Sequence, residues 1–210
     1  KRWCLWLVGV SPVELRKMPK VMERIELCRQ DRLSGAADRQ KLASTPSLFR
    51  ETKNPKTAII VPRHSSENRR YIPFGFIGQE MILTDAAMCI PNAGTYELGI
   101  LESNIHMAWM RAVCGRIKSD YRYSKDIVYN NFPWPDATDA QKAKIEQTAQ
   151  GILDARALYP DSSLADLYDE LTMPPELRKA HQKNDQAVLA AYGIKKGDAA
   201  YSSESACVAE

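Results

Sequence analysis

Residues 57–84 read TAIIVPRHSSENRRYIPFGFIGQEMILT, and this stretch decides the fold class. Three short runs rich in β-branched and aromatic residues lie at 57–62, 71–78 and 81–84, with polar or glycine-containing segments between them. Runs of that length and composition, separated by turn residues, are typical of strands joined by short connections. We therefore predict a small antiparallel or mixed sheet in this part of the chain.

Upstream of this stretch the pattern changes from a strand to helices. Residues 2–10 (RWCLWLVGV) have the composition of a buried strand. The segment that follows has the form of a capping box, since Ser11 can cap a helix and Glu14 stands three residues later. Apolar residues then recur at helical spacing, and Pro19 is expected to split this helix in two.

Downstream of the predicted sheet, helical spacing returns in two places. Residues 97–115 are predicted to form a helix and residues 117–129 an extended segment. After Pro135 the whole chain has helical spacing, and Thr138 with Gln141 can form a second capping box. The sequence thus predicts an α+β fold with packed helices, followed by an all-helical C-terminal domain.

The charge is divided unevenly along the chain. Residues 1–135 hold 21 lysines and arginines against 13 aspartates and glutamates, whereas residues 136–210 hold 8 against 13. A basic front and an acidic tail indicate that only the front meets a polyanion. An ordinary basic domain can carry the same excess, so charge alone favours nucleic acid only slightly. Charge and periodicity both change near residue 136, where we place a domain boundary.

Composition excludes several classes of protein. The longest apolar runs are too short to span a membrane, and no basic-then-apolar leader is present, so we expect a cytoplasmic protein without membrane contact. The five cysteines are widely spaced, without a CxxC pair or a Cys/His cluster, so we predict no metal site. We expect reduced, mostly buried thiols. Because the first residue is Lys1, we interpret the chain as a fragment.

The stretch from Arg116 to Tyr129 contains the first candidate site. In an extended segment side chains alternate between faces, so Lys118, Asp120 and Arg122 share one face and Ser119, Tyr121 and Tyr123 share the other. A lysine or arginine can donate to guanine, and an aspartate can accept from cytosine, each contact giving about 1–3 kcal/mol of discrimination. A solvated strand face with alternating charges has the same pattern, and the spacing alone favours that interpretation.

A second polar cluster occupies residues 63–70, between two of the predicted strands. Its side chains offer hydrogen-bond donors for phosphate oxygens: Arg63, Ser65, Ser66, Asn68, Arg69 and Arg70. A charged surface turn without a ligand is an equally good interpretation. A hydrolase that uses His64 and Ser65 is the weakest alternative, because adjacent residues do not place a base against a nucleophile and no partner acid is evident.

Two other segments resemble catalytic motifs only superficially. The glycines of residues 74–78 (FGFIG) do not have the spacing of a nucleotide-binding loop. Residues 131–134 (NFPW) lack the paired prolines that follow the asparagine in amino-methyltransferases. We therefore predict no catalytic residue in this chain.

Three longer motifs carry a resemblance to a known family. Residues 64–73 (HSSENRRYIP), residues 106–111 (HMAWMR), and residues 121–124 (YRYS) followed by 127–135 (IVYNNFPWP) resemble MmeI-like restriction–modification proteins. These are large enzymes that join a nuclease region, an S-adenosylmethionine-dependent adenine methyltransferase and a target recognition domain. The likeness covers residues 2–135 and, more weakly, the helical tail.

The resemblance implies a domain order and a set of reading residues. It makes residues 1–10 the trailing edge of a methyltransferase domain, 11–135 the target recognition domain and 136–210 the C-terminal helical domain. It assigns base reading to Lys118, Asp120 and Arg122, with a further position at Ala86 or Ala87, and so reverses the preference for a solvated strand face. In the family, a lysine and an aspartate at the first two positions suit a G·C pair with guanine facing Lys118.

The function implied by the resemblance is recognition of double-stranded DNA. The chain would be the sequence-specific reading module of an adenine-specific (N6) DNA methyltransferase, and the methyltransferase domain of the same chain would be its second partner. The intact enzyme would use S-adenosylmethionine, whereas this fragment, which lacks the donor-binding and catalytic motifs, would need no cofactor and transfer no methyl group. The alternative function is a protein-interaction module that works through the acidic helical tail without DNA contact.

Overall fold

The computed structural model describes residues 3–209, and the chain divides into two units at Asn54 and Pro55. The helical elements of the first unit are α1 (Pro12–Arg16), α2 (Pro19–Leu33), α3 (Ala37–Gln40) and a 3₁₀ turn (Lys41–Ser44). The predicted capping box is confirmed, since the Ser11 hydroxyl accepts from the Glu14 amide and the Glu14 carboxylate accepts from the Ser11 amide. Pro19 begins α2, as predicted.

The strand predicted over residues 2–10 is wrong for the described part of that segment. Residues 3–7 are irregular, and Trp3 is 97% exposed; Arg2 lies outside the described residues. The first unit contains no strand with which this segment could pair, so its backbone does not join a ladder within residues 3–54. Helix α2 likewise buries none of its residues, so the expected apolar stripe covers no core in this unit.

The second unit contains every strand in the described residues. The strands are β1 (Thr57–Pro62), β2 (His64–Ser65), β3 (Gly75–Gly78), β4 (Ala87–Pro91), β5 (Gly115–Ile117) and β6 (Asp120–Arg122). The helices are α4 (Thr95–Leu101), α5 (Asn104–Val113), α6 (Asp139–Ala157), α7 (Leu164–Leu167), α8 (Pro175–Ala191), α9 (Ala199–Ser202) and α10 (Glu204–Ala209), with a π-helical turn at Lys125–Tyr129.

The strands form two small antiparallel sheets, as the α+β prediction requires. One sheet has the order β3-β1-β4 and the other the order β2-β6-β5. The strand predicted at 57–62 is confirmed as β1, but only residues 75–78 of the second predicted run are extended as a strand, and 81–84 form no strand. The third strand of the first sheet is instead β4, which the sequence did not predict.

The helix predicted over residues 97–115 is interrupted at Glu102 and Ser103. Ser103 is the N-cap of α5, and its hydroxyl accepts a hydrogen bond from the amide of His106 in the first turn of that helix. Glu102 is fully buried and forms an ion pair with Arg156 of α6. The break between α4 and α5 therefore lets Ser103 cap α5 and lets Glu102 pair with Arg156.

The C-terminal helices pack directly on the sheet-bearing part of the chain. The capping box of Thr138 and Gln141 begins α6 as predicted, and α6 packs against both α4 and α8. One core cluster joins residues of both halves, including Phe74, Leu98 and Ile152. The predicted domain boundary near residue 136 thus falls inside the second unit.

The contact between α4 and α6 depends on a glycine. A methyl group on Gly99 would lie 2.6 Å from Ile145 Cγ2, whereas one on Gly151 of α6 would meet nothing within 4 Å. We expect Gly99→Ala to lower the free energy of unfolding by about 1–3 kcal/mol through overpacking. Gly151→Ala is expected to raise it by up to about 1 kcal/mol, because alanine is the better helix former. Urea unfolding measures both, and equal effects would exclude the proposed close contact.

Candidate nucleic-acid interface

Arg63 joins the two sheets through its backbone. Strands β1 and β2 are consecutive parts of one segment that is interrupted at this residue. The Arg63 amide donates to the carbonyl of Ala86 at 3.1 Å, and the Arg63 carbonyl accepts from the amide of Tyr123 at 2.8 Å. His64 pairs with Arg122 in the adjoining ladder. These backbone hydrogen bonds therefore place Arg63 between Ala86 and Tyr123, the residue that directly follows β6.

Strand β6 presents two polar side chains to solvent. Asp120 and Arg122 are exposed, whereas Tyr121 and Tyr123 are 6% and 2% exposed. The predicted alternation is therefore confirmed from residue 120 to residue 123. Its cause is the burial of the two tyrosine rings in the core, which leaves the intervening side chains on the outer face.

Lys118 does not lie on this strand, so the extended segment predicted over 117–129 is wrong in two places. Ile117 pairs with Asp120, which makes Lys118 and Ser119 a two-residue hairpin turn between β5 and β6. Residues 125–129 form the π-helical turn rather than a strand. Lys118 thus stands at the tip of the β5–β6 hairpin, next to the exposed face instead of on it.

The backbone of Lys118 is in an unfavourable conformation for a lysine. Its φ of +56° lies in the left-handed region, where glycine, asparagine and aspartate are the usual turn residues. A conformation of that kind persists where the surrounding structure enforces it, and here the β5–β6 pairing on both sides of the turn does so.

Arg116 and Glu67 fix the hairpin tip. Arg116 donates to the Ser119 carbonyl at 2.8 Å, and its guanidinium lies 4.6 Å from the centre of the Tyr121 ring. Glu67 lies 3.6 Å from Arg116, and its amide donates to Asp120 Oδ1 at 3.3 Å. Only Oδ1 of the Asp120 carboxylate takes part in this contact, so Oδ2 can still accept a hydrogen bond from a ligand.

The polar cluster at 63–70 lies beside this hairpin and is mostly accessible. Arg63, Asn68 and Arg70 are exposed, and Ser66 and Arg69 are half-buried. Ser65 contradicts the prediction, because it is 5% exposed and its hydroxyl has no hydrogen-bond partner within the described residues. Residue 65 pairs with Tyr121 on the inner side of the sheet, which keeps its hydroxyl away from any phosphate.

The hydrolase alternative does not fit this geometry. His64 is exposed and Ser65 is buried, because consecutive strand residues point to opposite faces. The imidazole therefore has no access to the hydroxyl that it would have to activate.

His106 of α5 contacts Tyr123, which directly follows strand β6, and the sequence did not predict this contact. Its Nε2 lies 3.0 Å from the hydroxyl of Tyr123, and both side chains are buried. Burial lowers the pKa of His106 to about 3, so the ring is neutral at physiological pH. In the sequence, His106 stands out only as the first residue of the motif at 106–111, and that motif does not indicate Tyr123 as its partner.

The two segments that resemble catalytic motifs are used structurally. Residues 75–78 form strand β3 rather than a phosphate-binding loop. The side-chain amide of Asn131 donates to the carbonyls of Asp126 and Ile127 at 2.7 and 3.2 Å, and so closes the π-helical turn. Neither segment fits a methyl donor or the amino group of a target base.

The remaining observations concern metal ligands, membrane-spanning helices and the exposure of the cysteine thiols. Within residues 3–209 no group of three histidine, cysteine, aspartate or glutamate side chains is arranged to hold a metal ion. No helix in that range is both long and apolar enough to cross a membrane. The expectation of mostly buried thiols is wrong, since Cys4 and Cys89 are exposed and the other three cysteines are half-buried.

These features together define a target recognition domain with an attached helical domain. The chain belongs to the MmeI family, because residues 1–136 match the family's target recognition domain and residues 137–207 match its C-terminal domain. The resemblance inferred from the three sequence motifs is thereby confirmed.

Two relatives are similar over nearly the whole chain. The chain is 43% identical over 197 residues to DNA methyltransferase A of Bacillus subtilis (strain 168), covering 93% of this chain and 22% of that protein. It is 44% identical, with a TM-score of 0.92, to the type IIL restriction-modification enzyme MmeI in a structure with DNA, covering 99% of this chain and 27% of that one. The chain thus spans about a quarter of the length of these relatives.

Proposed function

We propose that this chain is the sequence-reading module of an adenine-specific (N6) DNA methyltransferase of a restriction–modification system. The observation that carries the proposal is the exposed pair Asp120 and Arg122 on strand β6, because the chain continues from this strand at Tyr123 into the backbone hydrogen bonds that connect it through Arg63 to Ala86. A β-ribbon with exposed polar side chains fits the major groove, where base pairs present a distinct pattern of donors and acceptors.

The chemistry of each side chain suggests its role in that groove. Arg122 and Lys118 can donate to guanine O6 and N7, and Asp120 can accept from the amino group of cytosine. Ala86 offers a methyl group, which suits contact with the methyl group of thymine. We assign phosphate contacts to the accessible members of the polar cluster: Arg63, Ser66, Asn68, Arg69 and Arg70.

The names of the relatives support this assignment. One similar protein is a DNA methyltransferase, and another is a restriction-modification enzyme whose structure contains DNA. In the intact protein, S-adenosylmethionine would supply the methyl group in a separate domain. Because the donor-binding and catalytic motifs are not found in this sequence, the chain alone is expected to transfer no methyl group. Its role would be to hold the duplex while the target adenine is flipped into the neighbouring domain.

The proposal also covers the domain order and the compartment. We assign residues 1–10 to the edge of the methyltransferase domain, 11–135 to target recognition and 136–210 to the C-terminal domain, and we place the intact protein in the cytoplasm with the DNA. The family boundary at residues 136 and 137 supports the second division.

Salt-dependent binding of the intact protein to a duplex tests the phosphate contacts. We expect Arg69→Gln to weaken binding and to reduce the slope of log K against log salt by about 1, because one fewer counterion is released. Lys183→Gln, at an exposed position of α8, is the matched control and should leave the slope unchanged. A slope near zero for the parent protein would favour the protein-interaction alternative instead.

A further inference from the structure

The β5–β6 hairpin has little packing of its own. Strand β5 lies at the edge of its sheet and pairs only with β6, through three residue pairs, and all of its residues are exposed. Because a two-stranded ribbon of this kind is only marginally stable in water, contacts from outside the ladder are needed to keep its tip in place.

The turn at the tip of the hairpin does not supply this stability. Lys118 has a φ of +56°, whereas Ser119, the other residue of the turn, lies outside the left-handed region. A two-residue hairpin turn with a positive φ at its first residue alone favours glycine at that position. With a lysine there, the turn depends on an additional contact to keep one conformation.

Arg116 of β5 supplies that contact. Its Nη1 donates to the carbonyl of Ser119 at 2.8 Å and lies 3.6 Å from a carboxylate oxygen of Glu67. Its guanidinium carbon lies 4.6 Å from the centre of the Tyr121 ring, which belongs to a residue that is 6% exposed. One planar guanidinium thus connects the turn, the polar cluster at 63–70 and a buried ring of β6, which suits the fixed fork of donors that an arginine presents.

The same contacts reach the acceptor on the exposed face of β6. The backbone amide of Glu67 donates to Asp120 Oδ1 at 3.3 Å, so the residue that pairs with Arg116 also orients Asp120. The segment around Glu67 is itself a turn, because the amide of Arg69 donates to the carbonyl of Ser66 at 3.2 Å. Arg116 therefore stabilises both the turn that carries Lys118 and the segment that orients Asp120.

We propose that Arg116 is a positioning residue for base reading. It fixes the geometry of Lys118 and Asp120 and so sets the discrimination at the base pair that they contact, without touching a base or a phosphate itself. This inference rests on the proposed function, which assigns base reading to those two residues. Side chains that are held in place before DNA binds lose less entropy on binding and adapt less well to a wrong base. Loss of Arg116 should therefore relax specificity at one base pair rather than weaken binding to every sequence.

Methylation of matched duplexes by the intact protein tests this role. Discrimination is the ratio of kcat/KM for the recognition sequence to kcat/KM for the same duplex with one base pair changed. A double variant, Lys118→Ala with Asp120→Ala, identifies the base pair at which discrimination is lost. We expect Arg116→Met to lower discrimination at that same base pair by about tenfold and to leave it unchanged at the others. That loss lies within the range of about 5–150-fold that one well-formed base contact gives.

Glu67→Ala, at an exposed position, tests the same set of contacts without altering Arg116. We expect a loss of about threefold at the same base pair, because a half-exposed ion pair contributes little and the other contacts of Arg116 remain. Unchanged discrimination in this variant would contradict the proposed connection through Glu67. This variant also serves if Arg116→Met does not fold.

Two further results would overturn the proposal. If Arg116→Met reduced the slope of log K against log salt by about 1, Arg116 would be a phosphate contact. With Lys118 and Asp120 both replaced by alanine, Arg116→Met should cause no further loss of discrimination, because no reading side chain is left to position. A further tenfold loss in that background would make Arg116 a base contact in its own right.

Failure of this inference can be told apart from failure of the proposed function. If the double variant of Lys118 and Asp120 kept the full discrimination of the parent protein, the proposed base reading itself would be wrong. If that variant lost discrimination and Arg116→Met did not, only the role of Arg116 would be contradicted.

Discussion

Replacement of Arg156 by methionine is expected to lower the free energy of unfolding by about 3–5 kcal/mol, because it leaves a buried carboxylate without its counter-ion. Glu102 is fully buried, and burial raises the pKa of its carboxyl while Arg156 opposes that shift. Arg156 also donates to the carbonyl of Phe74 at 2.7 Å and to the hydroxyl of Tyr168. The substitution thus removes several hydrogen bonds from a largely buried site, in which the Arg156 side chain is 10% exposed and Glu102 is fully buried.

A surface ion pair provides the control for this prediction. Arg178 and Glu170 are 2.8 Å apart, with side chains that are 31% and 45% exposed. Arg178→Met should change the free energy of unfolding by no more than about 1 kcal/mol, since exposed pairs contribute little. The measurement is urea unfolding of both variants beside the parent protein. If Arg156→Met were as mild as Arg178→Met, the buried pair would not hold the two parts of the second unit together.

Acidification from pH 7 to pH 5 is expected to lower the free energy of unfolding by about 2–3 kcal/mol. His106 and His181 are buried, and burial lowers the pKa of each to about 3. The unfolded chain binds a proton at each histidine below about pH 6.5, whereas the folded protein stays neutral. Stability therefore falls as the pH drops through that value, by about 2 kcal/mol for each histidine at pH 5.

Glu102, whose carboxyl pKa is also raised by burial, opposes this loss, and so does Asp185. Burial raises the pKa of the Asp185 carboxyl to about 6, although hydrogen bonds from Tyr71 and the Asn104 amide act in the other direction. The folded protein therefore takes up this proton at a higher pH than the unfolded chain, which adds stability as the pH falls from 7 towards 4. The gain at pH 5 is about 1 kcal/mol, which is smaller than the combined loss from the two histidines.

Urea unfolding at pH 7, 6 and 5 measures the balance. His106→Gln should make the decline with acidification shallower, whereas His64→Gln, at an exposed position, should leave it as in the parent protein. A protein whose stability rose steadily from pH 7 to pH 5 would show that the two rings are not held neutral in the core.

Sequence reasoning succeeded where the signal was local. The capping boxes at Ser11 and Thr138, the helix that begins at Pro19 and the central strand β1 were all predicted. Each depends on residues within a few positions of one another. The alternation of exposed and buried residues along β6 is equally local, since it follows from the period of an extended chain.

Sequence reasoning failed where distant residues decide the structure. Lys118 gives no turn signal, and the hairpin exists because β5 pairs with β6 under the constraint of Arg116, Glu67 and the buried Tyr121. The interruption at Glu102 depends on Arg156, which is 54 residues away along the chain. The segment from Trp3 has the composition of a buried strand, but residues 3–54 contain no strand with which it could pair.

The C-terminal helices pack against the target recognition domain rather than standing apart from it. Asp185 of α8 accepts from the Tyr71 hydroxyl and from the Asn104 amide, both at 2.7 Å. Asn184 donates to the carbonyl of Gly99 at the same distance. Because these contacts connect the two family domains, the tail is better explained as part of the packing of the target recognition domain than as a separate interaction module.

The most direct test of the proposed base reading is an exchange of charge at Lys118 and Asp120 in the intact protein. Lys118→Glu combined with Asp120→Arg reverses the donor and acceptor that we assign to one base pair, while both positions stay exposed. Sequencing of methylated sites should show a changed base pair at one position of the recognition sequence and the same bases at the others. An unchanged recognition sequence in an active, folded double variant would contradict the assignment of these residues to DNA reading.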